Sequence, residues 1–446
     1  MKGLSNNSGK RSAVRRACGL CAAAALVLAA GVLFAGHRPG SAAAPAPVNA
    51  VLNETLTNAM SDSTAFDPID REVQTFMRYW GIHGISLSMM RNDSLIFSKG
   101  YGWADKEKNE VMTPGHILRM ASVSKLVTAA GIMKLEEQGR LSLDDKVFGP
   151  EGILCDSLWT SLIKDPLYYD ITVEQLMRHQ GGFSTRGGDP MFSTRTVILQ
   201  NHLSEPPDNE TLVRTQLGKR LAFVPGETQE YSNFGFLLLS MIIEKVTGID
   251  YESWMQENIL RPAGCVDFHI ANNYYQDKYP NEVRYYVQPD DTPVDEYNNS
   301  GRKVVRCYGG NDIRNLSGAG AWTASTAELC RFVASIDGRP EVPDILSVDS
   351  VRRMTEWFDP DTYSLGWNDT KPTGEWTRTG TFSGTSALVK YFPDGECWVM
   401  ITNTSTWRGA GLARYSTEMF EKSRAACSDL LPQRNMFYVQ EDSFPE

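Results

Sequence analysis

Ser122 and Lys125 stand three residues apart in Ser122-Val123-Ser124-Lys125. Positions three apart share a face of a helix, so this spacing sets an amine beside a hydroxyl. A lysine that is desolvated or close to another cation gives up its proton more readily and can act as a base toward that hydroxyl. A helix N-terminus at the serine would also favour an anionic oxygen there. The spelling alone is weak, because about one or two S-x-x-K strings are expected by chance at roughly 6–7% of each residue. This chain has three, at Ser122–Lys125, Ser161–Lys164 and Ser300–Lys303. Only Ser122 opens a long apolar helical pattern (Leu126, Val127, Ala130, Met133) after an extended segment.

Y-x-N is equally promiscuous, at Tyr231-Ser232-Asn233, Tyr279-Pro280-Asn281 and Tyr297-Asn298-Asn299. Only the first lies between a Pro225-Gly226 turn and an apolar helix. A phenol there can exchange a proton if nearby lysines lower its pKa, and an Asn amide can bind a substrate carbonyl. The commoner role of any single tyrosine is packing or surface. A third segment, Arg378-Thr379-Gly380-Thr381, combines a cation, hydroxyls and a glycine that lets a substrate approach the backbone. An N–H at Thr381 could then pair with the Ser122 N–H as an oxyanion hole. An arginine on a strand is more often simply a solvated side chain.

These segments need elements to bring them together. Gly84 to Met90 alternates Ile85, Leu87 and Met89 with Ser86 and Ser88, then Arg91-Asn92-Asp93 signals a turn and Ser94 to Lys99 resumes the extended pattern. Ala387 to Phe392, Pro393-Asp394-Gly395 and Cys397 to Thr402 repeat the strand, turn and strand. Between them lie helical signals: Val123 to Glu137 ending at Gly139, a capping box Thr172-x-x-Gln175, Phe234 to Val246 ending at Gly248, and a capping box Ser325-x-x-Glu328. A last amphipathic helix runs from about Leu412 to Ala426. The expected fold class is α/β (α+β), an antiparallel sheet built from both chain ends, flanked by helices, with a mostly helical inserted region. The junction of the two regions is the expected ligand cleft.

Taken together and in this order, the three motifs resemble those of the penicillin-recognising serine hydrolases, in particular the class C β-lactamase, DD-peptidase and related esterase group. The resemblance runs from about residue 75 to about 425. It is supported by Arg119-Met120-Ala121 before Ser122, Glu137-Gln138-Gly139-Arg140-Leu141-Ser142-Leu143-Asp144-Asp145, Ile171-Thr172-Val173 leading to His179, Phe223-Val224-Pro225-Gly226 before Tyr231, and Leu365-Gly366-Trp367 before Arg378. It implies a β-lactamase/transpeptidase-like fold and no metal or organic cofactor. Ser122 would be the acylated nucleophile, with Lys125 and Tyr231 sharing its proton. Asn233, Arg378, Thr379 and Gly380 would hold the substrate, and the N–H groups of Ser122 and Thr381 would form the oxyanion hole. The implied substrates are small molecules or peptides: a β-lactam, a peptidoglycan peptide or an ester. Two departures stand out. Arg378 takes the place of the family's usual Lys or His, and a planar fork meets a carboxylate differently from a point charge. Gln180-Gly181-Gly182 replaces the usual Thr-Ser-Gly after the histidine. A non-hydrolytic penicillin-binding or sensor domain is the alternative that keeps the fold.

Composition is consistent with a folded globular body: 446 residues, 41% hydrophobic and 22% charged. Beyond residue 40 the chain carries 38 Lys and Arg against 54 Asp and Glu, an acidic balance that repels nucleic-acid phosphates. None of the six histidines forms H-x-x-x-H, and G-x-S-x-G is absent, which disfavours a metallohydrolase and an α/β-hydrolase. Five basic residues precede an uncharged stretch, Ala17 to Ala35. This reads as an export signal or a single uncleaved membrane anchor, and both leave the body outside the cytoplasm, in the periplasm or cell envelope. The expected organisation is 1–40 leader, 41–70 linker, 71–430 hydrolase domain and 431–446 tail. Six cysteines beyond the leader permit disulfides, and buried free thiols suit them equally.

Overall fold

The computed structural model describes residues 51–289, 292–427 and 431–438, apart from the side chain of Leu158. The leader lies outside the described residues. The first alternating segment forms β1 (Gly84–Arg91) and β2 (Ser94–Asp105). Asn92 and Asp93 join them, both at positive φ (46° and 56°); such a turn matches the twist of a hairpin, and Asn and Asp tolerate it best among residues with a side chain. β2 continues to the two-residue β3 (Glu110–Val111). Near the other end follow β4 (Asp369–Thr370), β5 (Trp376–Phe382), β6 (Thr385–Tyr391) and β7 (Glu396–Thr402). Together they make one antiparallel sheet in the order β4-β5-β6-β7-β1-β2-β3, with Ile85 opposite Thr402 where the two chain ends meet.

Of the helices α1 (Asp67–Trp80), α2 (Ser124–Glu137), α3 (Val173–Met177), α4 (Asn233–Thr247), α5 (Thr326–Ala334) and α6 (Leu412–Cys427), α1, α5 and α6 pack on this sheet, whereas α2 and α3 pack against α4. Ile85, Leu87 and Met89 face the cluster formed with α1 and α6, which includes Val73, Trp398 and Phe420. The alternate residues Ser86 and Ser88 are not solvated. They are buried on the opposite face, where each hydroxyl lies 2.8 Å from Thr326 Oγ1 at the start of α5. Both faces of the sheet are therefore covered. α2 is buried around nearly its whole circumference, and α4 ends at Gly248 in the left-handed conformation, the usual device for stopping a helix without a Cβ penalty.

The capping box at Thr172 forms in both directions. Ser325 caps α5, but its expected partner turns elsewhere, since the Glu328 carboxylate accepts the N–H groups of Val266 and Asp267. Two boundary expectations need correction. Residues 51–70 are not a linker where they are described. Leu52, Leu56 and Phe66 are buried, Ser61 Oγ bonds both the N–H and the C=O of Ser98, and Asn58 Oδ1 accepts Gly100 N–H. The stretch covers the outer edge of β2, and its polar composition serves that edge's unpaired backbone groups. The described part of the tail does likewise. Met436 N–H donates to Leu95 O at 2.9 Å, Arg434 donates to the carbonyls of Ile96 and Met60, and Met436 and Phe437 are buried. The six cysteines form no disulfide with one another. Among the described residues no helix is long and apolar enough to cross a membrane.

Candidate active site

Ser122 sits in a single turn, Ala121–Val123, that leads directly into α2. Ala121 holds φ +48°, an uncommon conformation for a residue with a Cβ and one that concentrates at functional turns. The turn is pinned from behind. Met120 N–H bonds Trp322 O at 3.0 Å, and Trp322 N–H bonds Ser124 Oγ at 3.2 Å. One helical turn on, Lys125 is fully buried, with Nζ 3.3 Å from Ser122 Oγ. It donates two shorter bonds of 2.6 Å, to Asn233 Oδ1 and to Ala319 O. A neutral amine has two hydrogens and one lone pair, so these two acceptors use the hydrogens and leave the lone pair toward the serine hydroxyl. The electrostatics agree. Burial pushes the Lys125 pKa well below its usual value and the Arg378 charge pushes it the same way, against an opposing pull from Asp189.

The Tyr-Ser-Asn triplet enters at a helix start. Ser232 is the N-cap of α4, accepting Gly235 N–H, and Asn233 is the first helical residue. Tyr231, immediately before, donates its hydroxyl to Ser122 Oγ at 2.7 Å. Burial raises its pKa, opposed by Arg378 and by the bond to Ser122, so it stands as a protonated donor. The buried His179 ring packs 4.5 Å from the Tyr231 ring and accepts Ser232 N–H on Nδ1 at 3.1 Å. Burial, Lys125 and Arg378 hold its pKa well below the ordinary histidine value, which leaves it a neutral prop.

The third motif lies on β5. A Cβ on Gly380 would lie 2.3 Å from Met120 O and 2.8 Å from Ser122 N, so only glycine lets the strand pass this close to the serine turn. Thr379 N–H points away from β6, to Asn368 Oδ1 at 2.7 Å. Two residues on, Thr381 N–H leaves the strand along the same edge. Arg378 departs from its expected role. Its side chain is 1% exposed and its Nε donates to the Ser122 carbonyl at 2.8 Å. The guanidinium therefore lies under the serine turn and beside Tyr231, where it braces Ser122 and biases Lys125. Thr379 Oγ1 is likewise occupied, 3.2 Å from Asn368 Oδ1. Asn233 holds Lys125 through its oxygen and Asp189 Oδ2 through its nitrogen at 2.6 Å, which leaves one amide hydrogen for a substrate carbonyl.

Two working parts had no usable sequence signal. Asp189 belongs to one of four Asp-Pro pairs, and it shares with Asp165 the ordinary task of capping a short helical turn. The Ala319 acceptor is a backbone carbonyl that no residue type announces. Of the S-x-x-K strings, Ser122–Lys125 is the one whose serine and lysine meet the tyrosine hydroxyl and asparagine amide of a Tyr-x-Asn segment, whereas Ser300 N–H bonds its own neighbour Asn298 and its hydroxyl bonds Glu296. Among the described residues no group of His, Cys, Asp and Glu could hold a metal ion.

A buried lysine and a tyrosine converge on one serine, the arrangement that the resemblance to the penicillin-recognising serine hydrolases implies. The β-lactamase family model matches residues 69–425, and the chain belongs to that family. A putative penicillin-binding protein, PbpX, of Bacillus subtilis is 24% identical over 353 residues, covering 79% of this chain and 78% of that protein. Among solved structures, D-amino acid amidase from Ochrobactrum anthropi superposes with a TM-score of 0.63 at 20% identity, covering 82% of this chain and 99% of that one. The octameric penicillin-binding protein homologue from Pyrococcus abyssi gives a TM-score of 0.60 at 22% identity, covering 80% and 77%. At these identities the two structures speak for the fold.

Proposed function

We propose that this protein is an exported serine hydrolase that cleaves an amide or ester through an acyl-enzyme on Ser122. One observation carries the reading. The Ser122 hydroxyl lies between a protonated phenol, Tyr231, and the lone pair of a desolvated amine, Lys125. In the proposed sequence Lys125 takes the hydroxyl proton as Oγ attacks the carbonyl carbon. The developing oxyanion is received by the N–H groups of Ser122 and Thr381. The proton then passes through Tyr231 to the leaving nitrogen or oxygen, and the carbon–heteroatom bond breaks. Water, deprotonated by the same pair, attacks the carbonyl carbon of the Ser122 ester, the bond from that carbon to Oγ breaks as Oγ takes the proton back, and the acid is freed.

The placement of Arg378 bears on substrate choice. With its Nε committed to the Ser122 carbonyl and its side chain 1% exposed, a carboxylate next to the scissile bond would meet hydroxyls and N–H groups of β5 before it met the cation. This favours amides and esters without that carboxylate over β-lactams and carboxylate-ended peptides. Export is supported by the basic flank and apolar stretch of residues 1–40 and is tested by fractionating cells that express the full chain. The activity is tested by intact mass after incubation with a penicillin and, separately, an activated ester. A stable or transient acyl adduct on the natural chain that vanishes in Ser122→Ala is expected. Equal labelling of both chains rejects Ser122 as nucleophile. No adduct with either reagent favours the non-hydrolytic alternative.

A further inference from the structure

Beside Asn233 lies a cavity of about 170 Å³ between the loop Gly182–Pro190 and the segment Gln216–Ala222. Asn233 lines this cavity and also holds Lys125, so the space adjoins the catalytic constellation. Its volume is that of one ring-sized group, since an apolar cavity of roughly 150 Å³ accommodates benzene. Tyr168, Phe183 and Phe234 supply an apolar wall, with the two phenylalanine rings edge to face at 4.9 Å.

The charges around it are unequal in their commitments. Asp189 is already engaged at both oxygens, by Met191 N–H at 2.9 Å and by Asn233 Nδ2 at 2.6 Å. Lys219 and Arg220 line the same cavity. Among the described residues the side chain of neither enters an ion pair or hydrogen bond. Both residues are exposed at the cavity's rim, free to turn toward an anion in it, and desolvation lowers the Lys219 pKa with no carboxylate offsetting it. We infer that this cavity is a substrate subsite, taking a ring-sized apolar group whose adjoining carboxylate is met by Lys219 and Arg220. The inference rests on the reading of Ser122 as the reacting centre. It adds to it a substrate class: amides or esters whose body, away from the scissile bond, carries an acidic group next to an apolar ring or its equivalent.

The test is binding, so that it stands whether or not turnover is observed. The full chain, as the natural protein and as Ser122→Ala, is titrated with 3-phenylpropanoate and with 3-phenylpropanamide by saturation-transfer NMR. The carboxylate is expected to bind about 3–10-fold tighter than the amide, the effect of one or two partly exposed ion pairs. That preference should survive Ser122→Ala and disappear in the double variant Lys219→Ala, Arg220→Ala, while the amide binds as before. Equal binding of the two compounds, no binding of the carboxylate at millimolar concentration, or a preference that persists in the double variant overturns the inference. Loss of acylation with an intact preference would instead count against the hydrolase reading alone.

Discussion

Replacing Arg378 by Met should move the acid limb of acylation to higher pH. Lys125 can accept the Ser122 proton only when neutral, so the limb falls at its pKa. The Arg378 charge is one of two causes that depress that pKa, after burial. Its Nε is bonded to the carbonyl of Ser122, the residue whose hydroxyl faces the lysine, so the guanidinium and the amine flank a single residue. Each pKa unit is about 1.4 kcal/mol and tenfold in rate below the limb. Methionine keeps much of the length and removes the charge, so the ammonium form becomes easier to hold and the limb rises. Asp189 acts with the opposite sign, because it raises the Lys125 pKa. Asp189→Asn should therefore move the limb to lower pH, by less, since Asn233 stands between the two groups. Single-turnover release of p-nitrophenol from an activated ester, followed across pH, reads both shifts. Tyr231→Phe should slow the reaction without relocating the limb. An unmoved or falling limb in Arg378→Met, or shifts of the same sign in the two charge variants, would refute Lys125 as the base.

Gly380→Ala places a methyl group 2.3 Å from Met120 O and 2.8 Å from Ser122 N, so β5 must retreat from the serine turn. Acylation should fall by about 100- to 1000-fold, the usual cost of displacing an oxyanion donor, while circular dichroism stays that of the native chain. Phe437→Ala, deleting a ring buried under the C-terminal segment, should cost about 3–5 kcal/mol and lower the melting temperature by about 4–6 °C for a domain of this size; an unchanged melting temperature would return that segment to the status of a loose tail. His179, neutral and buried in the fold, takes up a proton only in the unfolded chain below about pH 6.5. Stability is therefore retained above that pH and lost as pH falls through it, and His179→Leu should flatten this limb of a melting-temperature profile.

The hairpins, the long helices and their stops could be read locally, because each is set by a short-range rule: alternation for Ile85, Leu87 and Met89, a left-handed stop at Gly248, a capping box at Thr172. The linker and tail misled for an equally physical reason. Asn58, Ser61, Arg434 and Asn435 serve the open edge of β2, and residues that satisfy another strand's backbone look like loop residues in isolation. Ser86 and Ser88 look like a solvated face until Thr326 is seen to cover them.

The motifs around Ser122, Tyr231 and Gly380 were legible as types and order, since the chemistry demands a hydroxyl, a base, a phenol and a residue without a Cβ at fixed local offsets. What each charged or amide group faces was decided only in three dimensions. Arg378 turned under Ser122, Asn233 became the lysine's holder, and Asp189 and the Ala319 carbonyl joined the site from distant positions. Local spacing specifies which groups a segment can offer, whereas burial and the direction of a side chain depend on neighbours supplied by remote parts of the chain.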